Sequence, residues 1–354
     1  MSEVVFLKIK KVSENEVKET VRKAMELGNW KNFIKGKKIF IKINSLSDQL
    51  VPGQNASPWV VETILETVRK QYPHNEIYMG DADLAADKQL NRAAKLWGFI
   101  DMAKKYDTEF INLSEQPLIK TNFNGVVLKE TEVPKILLDV DTIFNVPIAK
   151  THCLTTITCC LKNHWGLLPR FRHQYHPVAH QAIPDVNNFF RKTTFNLVDG
   201  TICMEGNAPR TGIPKICNVI FAGPDRVAID YTVAKYMGFD ADKIKHIENA
   251  EKMGIGSRKN IKIIGDKFEV NPFISPTPSD QPIFKYETIC RKNRILKPLV
   301  FDTPVFRCMC RIATFYNTKW WYGKKGKKYI RDILKTDYAD EFKPLLEKSK
   351  IKVD

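Results

Sequence analysis

Apolar positions over residues 1–265 follow two alternating spacings. Short runs rich in β-branched residues, such as Lys38–Ile43 and Val219–Ala222, predict buried strands. Between such runs, apolar residues recur every three or four positions, which predicts amphipathic helices over Glu14–Leu27 and Pro58–Gln71. Strands that alternate with helices are typical of α/β domains with a largely parallel sheet flanked by helices. We therefore predict one α/β domain for this part of the chain.

The centre of the chain gives a less regular pattern. The strand around Ile143 runs into Pro147, so we predict that residues 150–152 lie in a loop. Leu154–Asn163 has apolar residues at helical spacing, although its β-branched residues oppose a helix. A helix is predicted to begin at Asp185, directly after a proline. The other predicted strands are Val4–Ile9, Glu76–Met79, Leu138–Val146, Phe195–Val198 and Ile261–Ile264, and a further helix is predicted over Pro224–Met237.

Residues 266–354 differ in composition from the α/β part. Five prolines between positions 266 and 300 indicate a linker or an extended segment over the surface. The chain has a formal net charge of +16, and residues 284–354 contribute 18 Lys and Arg against 8 Asp and Glu. Between Phe301 and Lys328 the basic residues alternate with aromatic ones. We therefore predict a basic, aromatic C-terminal extension after a proline-containing linker.

The extension allows three interpretations. Its aromatic side chains can pack on the body while its lysines are solvated. Alternatively, tryptophans at the level of the lipid headgroups and lysines facing anionic lipid would form a peripheral membrane anchor. Phosphate contacts and base stacking would suit a nucleic acid, but no nucleic-acid-binding module accompanies them, so we do not expect that partner.

The overall composition narrows the class of protein. Hydrophobic residues make up 43% of the chain and charged residues 27%, as in ordinary globular proteins. No apolar run reaches the ~18–20 residues of a membrane span, and the N-terminal region lacks a secretory signal. We therefore expect a cytoplasmic protein, with peripheral attachment to a membrane through residues 284–354 as an alternative. The eight cysteines form no CxxC pair, so we expect no iron–sulfur cluster and no four-cysteine zinc site.

Histidines are concentrated in one window, where five of the seven lie between positions 152 and 180. His152 follows a predicted parallel strand, and open α/β sheets bind ligands just beyond the carboxyl ends of such strands. Its ordinary pKa near neutrality suits a general acid or base, while Lys150 and Lys162 can hold a phosphate or a carboxylate. His176 and His180, four residues apart, would share a divalent metal if they lay on one helix face, although the sequence indicates no third ligand.

Polar residues also follow other predicted strands. Lys42 ends one strand and Asp81 the next, while Asp199 and Glu205 lie at the end of a later one. We expect these strand ends to meet at one edge of the sheet, near a helix N-terminus at Ser57 that can bind an anion. The predicted catalytic residues are His152, Lys162 and Glu205; the predicted substrate- or anion-binding residues are Lys42, Asn44, Asp81, Lys150, Asn163, Asp199 and Asn207; and the predicted metal ligands are His176 and His180.

Residues 38–255 contain a series of ordered motifs. They run as IKIN, SPWVVETIL, GDAD, VDTIFNVPIAKTH, LKNHWGLLP, NLVDGTICMEGNAPRTG and AGPDRVAIDYTVAKYMG. This series resembles the family known as domain of unknown function 362, whose name records that its activity is not established. Many members of that family look like fusions to ferredoxin-type iron–sulfur modules, and this chain lacks the cysteines of such a module.

A more distant resemblance is to the N-terminal domain of lactate racemase, a nickel-pincer-nucleotide enzyme. His152 and Lys162 are ten residues apart and are followed by Pro169 and further histidines, an order similar to that of the enzyme. The resemblance implies proton transfer by His152, a cofactor- or anion-holding role for Lys162, and metal contact by one of the later histidines. Residues 80–83 (Gly-Asp-Ala-Asp) stand where the enzyme has a second catalytic histidine, so we do not expect racemisation.

Together these patterns favour an enzyme that acts on a small anionic substrate at a cleft of histidine, lysine and carboxylate groups, with or without a divalent metal. Two alternatives stay open. One is a non-catalytic protein that binds a membrane surface or a partner through its extension. The other is a redox partner protein without its own iron–sulfur module. The sequence contains neither a P-loop nor a dinucleotide-binding glycine motif that would name a substrate.

Overall fold

The computed structural model describes residues 1–84, 88–277, 286, 289–291, 293–301 and 303–351, and for residues 193, 194, 297, 304, 306 and 307 it describes the backbone alone. The strands are β1 (Ser2–Lys8), β2 (Lys38–Lys42), β3 (Glu76–Asp81), β4 (Glu109–Asn112), β5 (Leu118–Asn122), β6 (Glu130–Pro134), β7 (Thr142–Asn145), β8 (Ile148–His152), β9 (Thr156–Thr158), β10 (Thr193–Glu205), β11 (Ile213–Gly223) and β12 (Ile261–Gly265). The helices are α1 (Glu14–Leu27), α2 (Pro58–Gln71), α3 (Leu90–Leu96), α4 (Phe99–Lys105), α5 (Lys135–Asp139), α6 (Cys160–Asn163), α7 (Ala179–Phe189), α8 (Arg226–Tyr236), α9 (Lys245–Lys252), α10 (Leu296–Phe301), α11 (Pro304–Phe315), α12 (Lys327–Ile333) and α13 (Ala339–Ser349), with a π-helix (Tyr316–Gly326) between α11 and α12.

The strands form one large, mostly parallel sheet. Its order is β12-β1-β11-β10-β7-β2-β3-β4, and β8 and β9 extend it beside the second half of β10. Strands β10, β7, β2, β3 and β4 are parallel neighbours, whereas β11 runs antiparallel to both β10 and β1. A separate antiparallel pair is formed by β5 and β6. The predicted α/β fold class, a largely parallel sheet flanked by helices, is therefore confirmed.

Helices cover both faces of the sheet, which explains the uninterrupted apolar runs in its strands. In β2, Ile39 and Ile41 join a core cluster with α1 and α2, while Phe40 joins a second cluster with α7 and α8. Successive side chains of a strand point to opposite faces, so neighbouring residues of β2 pack against different helices. The N-terminal end of α1 is fixed because the Ser13 hydroxyl accepts the amide of Glu16.

Two strands extend further than the sequence predicts. Residues 150–152 belong to β8 and not to a loop, because the chain resumes strand pairing after Pro147. Likewise β10 does not end at Asp199 but continues to Glu205, since it exchanges β7 for β8 as its parallel neighbour. A proline therefore separates two consecutive strands here without ending the sheet.

Two helix predictions in the same region are also wrong. Leu154–Asn163 is not one helix, because its β-branched residues form β9 and only the last four residues, α6, are helical. The helix predicted to begin at Asp185 begins at Ala179, and Pro184 lies inside it. The buried carboxylate of Asp185 accepts the backbone amides of residues 126–128 and so fixes that segment to the helix.

The C-terminal extension has one face in the core and another in solvent. Trp321, Ile330, Tyr338 and Phe342 are buried in the cluster that contains α1 and α2. Phe315, by contrast, is 66% exposed. None of the helices in the described part of the chain combines the length and the apolar character that crossing a bilayer requires.

A carboxylate of the extension, Glu341, occupies the N-terminus of α2. Its Oε1 accepts the Ser57 hydroxyl and, at 3.0 Å, the Trp59 amide. The Ser57 amide donates to Asp199 at 2.6 Å. The helix N-terminus that we predicted to bind an external anion is therefore filled by two carboxylates of the chain itself, which stabilise the helix dipole.

We expect Glu341→Gln to change the pH dependence of stability. Burial raises the pKa of Glu341 from 4.5 to about 7, so the folded state binds more protons than the unfolded chain, and this group's contribution to the unfolding free energy falls as pH rises between those values. Gln keeps the accepting oxygen but not the charge, so its stability relative to wild type should improve by on the order of 1–3 kcal/mol from pH 5 to pH 8. Denaturant unfolding at both pH values measures this change, and an equal difference at both would contradict it.

Candidate functional site

Lys42 and Asp81 form a buried ion pair at the carboxyl edge of the sheet. They are the last residues of the parallel neighbours β2 and β3, and Lys42 Nζ lies 2.6 Å from Asp81 Oδ1. Burial lowers the pKa of Lys42, and the charge of Asp81 opposes this change. Asp81 also accepts the amides of Ser45 and Ala82 at 2.9 and 2.8 Å. Gly166 packs on the pair so closely that a Cβ there would lie 2.5 Å from Asp81 Oδ1.

A chain of asparagine side chains continues from this ion pair. Asn163 Oδ1 accepts Asn44 Nδ2 at 3.0 Å and Lys42 Nζ at 3.4 Å. Asn163 Nδ2 donates to Asn145 Oδ1 at 2.8 Å, and Asn145 Nδ2 donates to Asn196 Oδ1 at 2.9 Å. Both Asn145 and Asn196 are fully buried and were not predicted from the sequence. For Asn145, the last residue of a buried parallel strand, that position was the available signal, since buried amides need partners.

Lys150 is fully buried beside this network, and its hydrogen-bond partners among the described residues are neutral oxygens. Its Nζ donates to Asn44 Oδ1 at 2.7 Å and to the Gln54 carbonyl at 2.5 Å. Burial, followed by repulsion from Lys162, lowers the pKa of Lys150 to about 7. Lys42, Asn44, Asp81, Lys150 and Asn163, all predicted as anion-binding residues, therefore share one hydrogen-bonded network.

Two further cations lie near this network without a carboxylate contact. Lys162, on α6, makes no hydrogen bond or ion pair with any described residue, and burial together with repulsion from Arg172 lowers its pKa to about 8. Arg172 is 4% exposed; it donates to the Leu168 carbonyl, and its buried Nε finds no acceptor in the described part of the chain. Burial lowers the pKa of Arg172 to about 10. Arg172 was not among the predicted residues, because one arginine next to five histidines gives no distinct signal.

His152, the last residue of β8, is held in one tautomer. Its Nδ1 accepts the amide of Leu154 at 3.0 Å, so the ring proton of the neutral imidazole is on Nε2. Burial, then repulsion from Lys162, brings the pKa of His152 well below its usual value. The imidazole is therefore neutral near pH 7 and offers an N–H donor.

The remaining histidines pair with different neighbours. His176 Nε2 lies 3.2 Å from His173 Nδ1, whereas the ring of His180 stacks on His246 with centroids 6.4 Å apart. His246, on α9, is fully buried, and neither ring nitrogen has a hydrogen-bond partner among the described residues. It lies far from the histidine window in the sequence, so sequence spacing could not reveal it.

Within the described residues, neither His176 nor His180 belongs to a group of three potential metal ligands. Among the residues that the structure describes, three ligand atoms approach within 4.8 Å of one another only at Cys159, Cys160 and Asp230. There the Asp230 carboxylate accepts the amides of Cys160 and of the next residue, and so caps α6. The predicted metal ligands thus have different imidazole neighbours and no third ligand within the described ranges.

The predicted residues of β10 and its following turn have structural contacts. Asp199 accepts the Ser57 amide and both the amide and the hydroxyl of Thr201. Glu205 Oε2 accepts Lys215 Nζ at 3.2 Å and the amide of Ile274 at 3.0 Å. Asn207 Oδ1 accepts an amide of the same 274–277 segment. The carboxylate of Glu205 therefore holds that segment.

Comparisons with known proteins place these residues in a family. Residues 39–235, more than half of the chain, match the family described as domain of unknown function (DUF362). A thylakoid-associated protein of Synechocystis sp. is 25% identical over 244 residues, which are 65% of this chain and 72% of that protein.

Two solved structures are similar to part of this chain. The apoprotein of lactate racemase from Thermoanaerobacterium thermosaccharolyticum has 14% sequence identity and a TM-score of 0.41, over 71% of this chain and 57% of that one. A protein from Thermotoga maritima has 14% identity and a TM-score of 0.37, over 60% of this chain and 56% of that one. The chain thus spans little more than half the length of each.

Proposed function

Because the chain belongs to the family described as domain of unknown function (DUF362), whose description names no activity, we propose a function from the chemistry of the site itself. We propose an enzyme that binds a small anionic substrate and stabilises negative charge on it. One observation carries the proposal: Arg172 is buried and Lys162 is half-buried, and neither has a carboxylate contact in the described part of the chain. Burying unpaired cations is costly, and a bound anion would offset that cost.

The substrate class follows from the kinds of donor present. Arg172 presents a planar guanidinium that suits a carboxylate or a phosphate, and Lys162 adds a point charge. Lys150 is within electrostatic range of Lys162, as the effect of Lys162 on its pKa indicates. Three cations near one another favour an anion with more than one negative charge, such as a phosphate ester or a dicarboxylate.

His152 supplies the chemical step in this proposal. A neutral imidazole whose Nδ1 is already occupied can donate its Nε2–H to a carbonyl or phosphoryl oxygen of the bound anion. The donor would stabilise the negative charge that develops there, and the adjacent Lys162 would add to the effect. The buried Lys42–Asp81 pair and the asparagine chain would fix the positions of the strand ends that surround the bound anion. We assign no step to a metal, because His176 and His180 lack a third ligand within the described ranges.

The experiment is a titration of the protein with sulfate at several pH values. Sulfate is a useful probe because its charge is constant between pH 6 and 9. We expect measurable binding at pH 6 and progressively weaker binding as pH rises through about 7 and about 8, where the lowered pKa values of Lys150 and Lys162 remove their charges. Isothermal titration calorimetry at low ionic strength measures the affinity.

Two outcomes of the anion titration would overturn the proposal. An absence of binding at pH 6 for sulfate, inorganic phosphate and malonate alike would remove the anion site. An affinity that does not change between pH 6 and 9 would show that Lys150 and Lys162 do not hold the anion.

A further inference from the structure

The extension exposes a continuous apolar face. Along α11 and the π-helix, exposed apolar side chains recur at positions 305, 312, 315, 316 and 320, so they follow one side of the helical segment. Ile312 is 62% exposed and Phe315 is 66% exposed. Isolated apolar residues are normal on a protein surface, but a row of large ones along one helix face indicates a contact surface. We call the row formed by Val305, Ile312, Phe315, Tyr316 and Trp320 the outer face.

The outer face lies in the most basic part of the chain. Between Thr303 and Arg331 the sequence contains eight Lys and Arg and no Asp or Glu. Lys324 Nζ lies 4.8 Å from the centre of the Trp320 ring, which in turn stacks on Tyr316 at 5.2 Å. Lys324 therefore borders the aromatic end of the outer face, and the segment contains no acidic residue to neutralise its lysines.

The body of the protein contacts the buried side of the π-helix, which carries one end of the outer face. Trp321, next to the exposed Trp320, is 3% exposed and belongs to the core cluster. Gln49 Nε2 donates to the carbonyl of Asn317 at 3.4 Å, and the helix after the π-helix buries Ile330. The body therefore fixes the π-helix, and with it the end of the outer face that carries Tyr316 and Trp320.

We propose that the outer face docks on a lipid bilayer that contains anionic lipid. Trp and Tyr partition to the level of the headgroups, while Ile and Phe enter the acyl boundary. Lysines beside them are attracted to an anionic surface. A nucleic acid would use the lysines and the aromatic rings, but it would leave Val305, Ile312 and Phe315 in water. Lipid is the partner that satisfies both the apolar row and its basic border.

Sedimentation with vesicles tests this inference independently of the anion site. We expect the full chain to sediment at low salt with vesicles of equal parts phosphatidylcholine and phosphatidylglycerol, and not with phosphatidylcholine alone. The double variant Ile312→Asp/Phe315→Asp should bind the mixed vesicles at least tenfold more weakly. The matched control is Val126→Asp, because Val126 is also 59% exposed but lies on the body; it should bind like wild type.

A second variant separates the charge contribution from the apolar one. Lys324→Glu/Lys325→Glu should weaken binding by about tenfold or more, with a smaller dependence on salt. The inference is overturned if wild type ignores the mixed vesicles, if the Ile312/Phe315 variant binds as wild type does, or if single-stranded nucleic acid binds to the outer face in place of lipid. Circular dichroism of both variants shows that they are folded before binding is compared.

Discussion

Replacing Lys162 with methionine is expected to lower the affinity for sulfate by about tenfold to a hundredfold, since it removes a charged hydrogen bond to the anion. The same substitution should raise the free energy of unfolding. Withdrawal from solvent lowers the pKa of Lys162 from 10.5 to about 8, so the folded state disfavours its charged form by on the order of 1–3 kcal/mol at neutral pH. Calorimetric titration and urea unfolding measure the two effects on one sample.

The opposite signs of the two effects distinguish a binding residue from a structural one. If Lys162 only supported the fold, its replacement would lower the unfolding free energy and the sulfate affinity together. The control is Lys252→Met on α9, because Lys252 is an exposed lysine paired with Glu248 one helical turn away. That variant should leave both the sulfate affinity and the unfolding free energy nearly unchanged. Unchanged sulfate binding by Lys162→Met would exclude Lys162 from the anion site.

The second large effect is expected at the Lys42–Asp81 pair. Asp81→Ala leaves the ammonium of Lys42 fully buried with only the Ile43 carbonyl and the amide oxygen of Asn163 as acceptors. Breaking one partner of a buried pair typically costs about 3–5 kcal/mol, because an uncompensated charge stays in the interior. Denaturant unfolding of the variant should show a loss of this size.

A double variant shows how much of that cost belongs to the stranded charge. Lys42→Met/Asp81→Ala removes both charges, so we expect it to recover about half or more of the stability lost by Asp81→Ala. The amides of Ser45 and Ala82 still lose their acceptor in both proteins, so full recovery is not expected. If the double variant were less stable than Asp81→Ala, Lys42 would be stabilised by contacts other than its ion pair.

The sequence predicted the regular part of this fold well, because burial on one or two faces leaves a clear spacing of apolar residues. The bounds predicted for α1 and α2, Glu14–Leu27 and Pro58–Gln71, are those of the structure. The predictions failed around Lys150–His152 and Leu154–Asn163, where strand pairing decides the outcome. The partner strand there is the second half of β10, which lies far along the chain. The local spacing of apolar residues cannot predict pairing with so distant a strand.

The site was partly visible in the sequence for a similar reason. Residues at the ends of parallel strands, such as Lys42, Asp81 and Lys150, meet because the topology brings strand ends to one edge. Glu205 shares such an end but has its carboxylate engaged by Lys215, a partner that strand order does not reveal. Arg172 and His246 lie outside strand ends, so only the folded chain brings them near the others.

The contact between Ser57 and Glu341 also constrains how the protein is made. It joins residues 284 positions apart at the N-terminus of α2. This helix follows the loop of Gln54, whose carbonyl accepts a hydrogen bond from Lys150 Nζ. During synthesis α13 leaves the ribosome long after β2 and α2 have emerged. The N-terminus of α2 therefore cannot gain this contact until α13 has been made, and contacts of such long range are formed slowly. A chain truncated before residue 341 would lack the carboxylate that accepts the Ser57 hydroxyl and the Trp59 amide, so the N-terminus of α2 would lose both contacts.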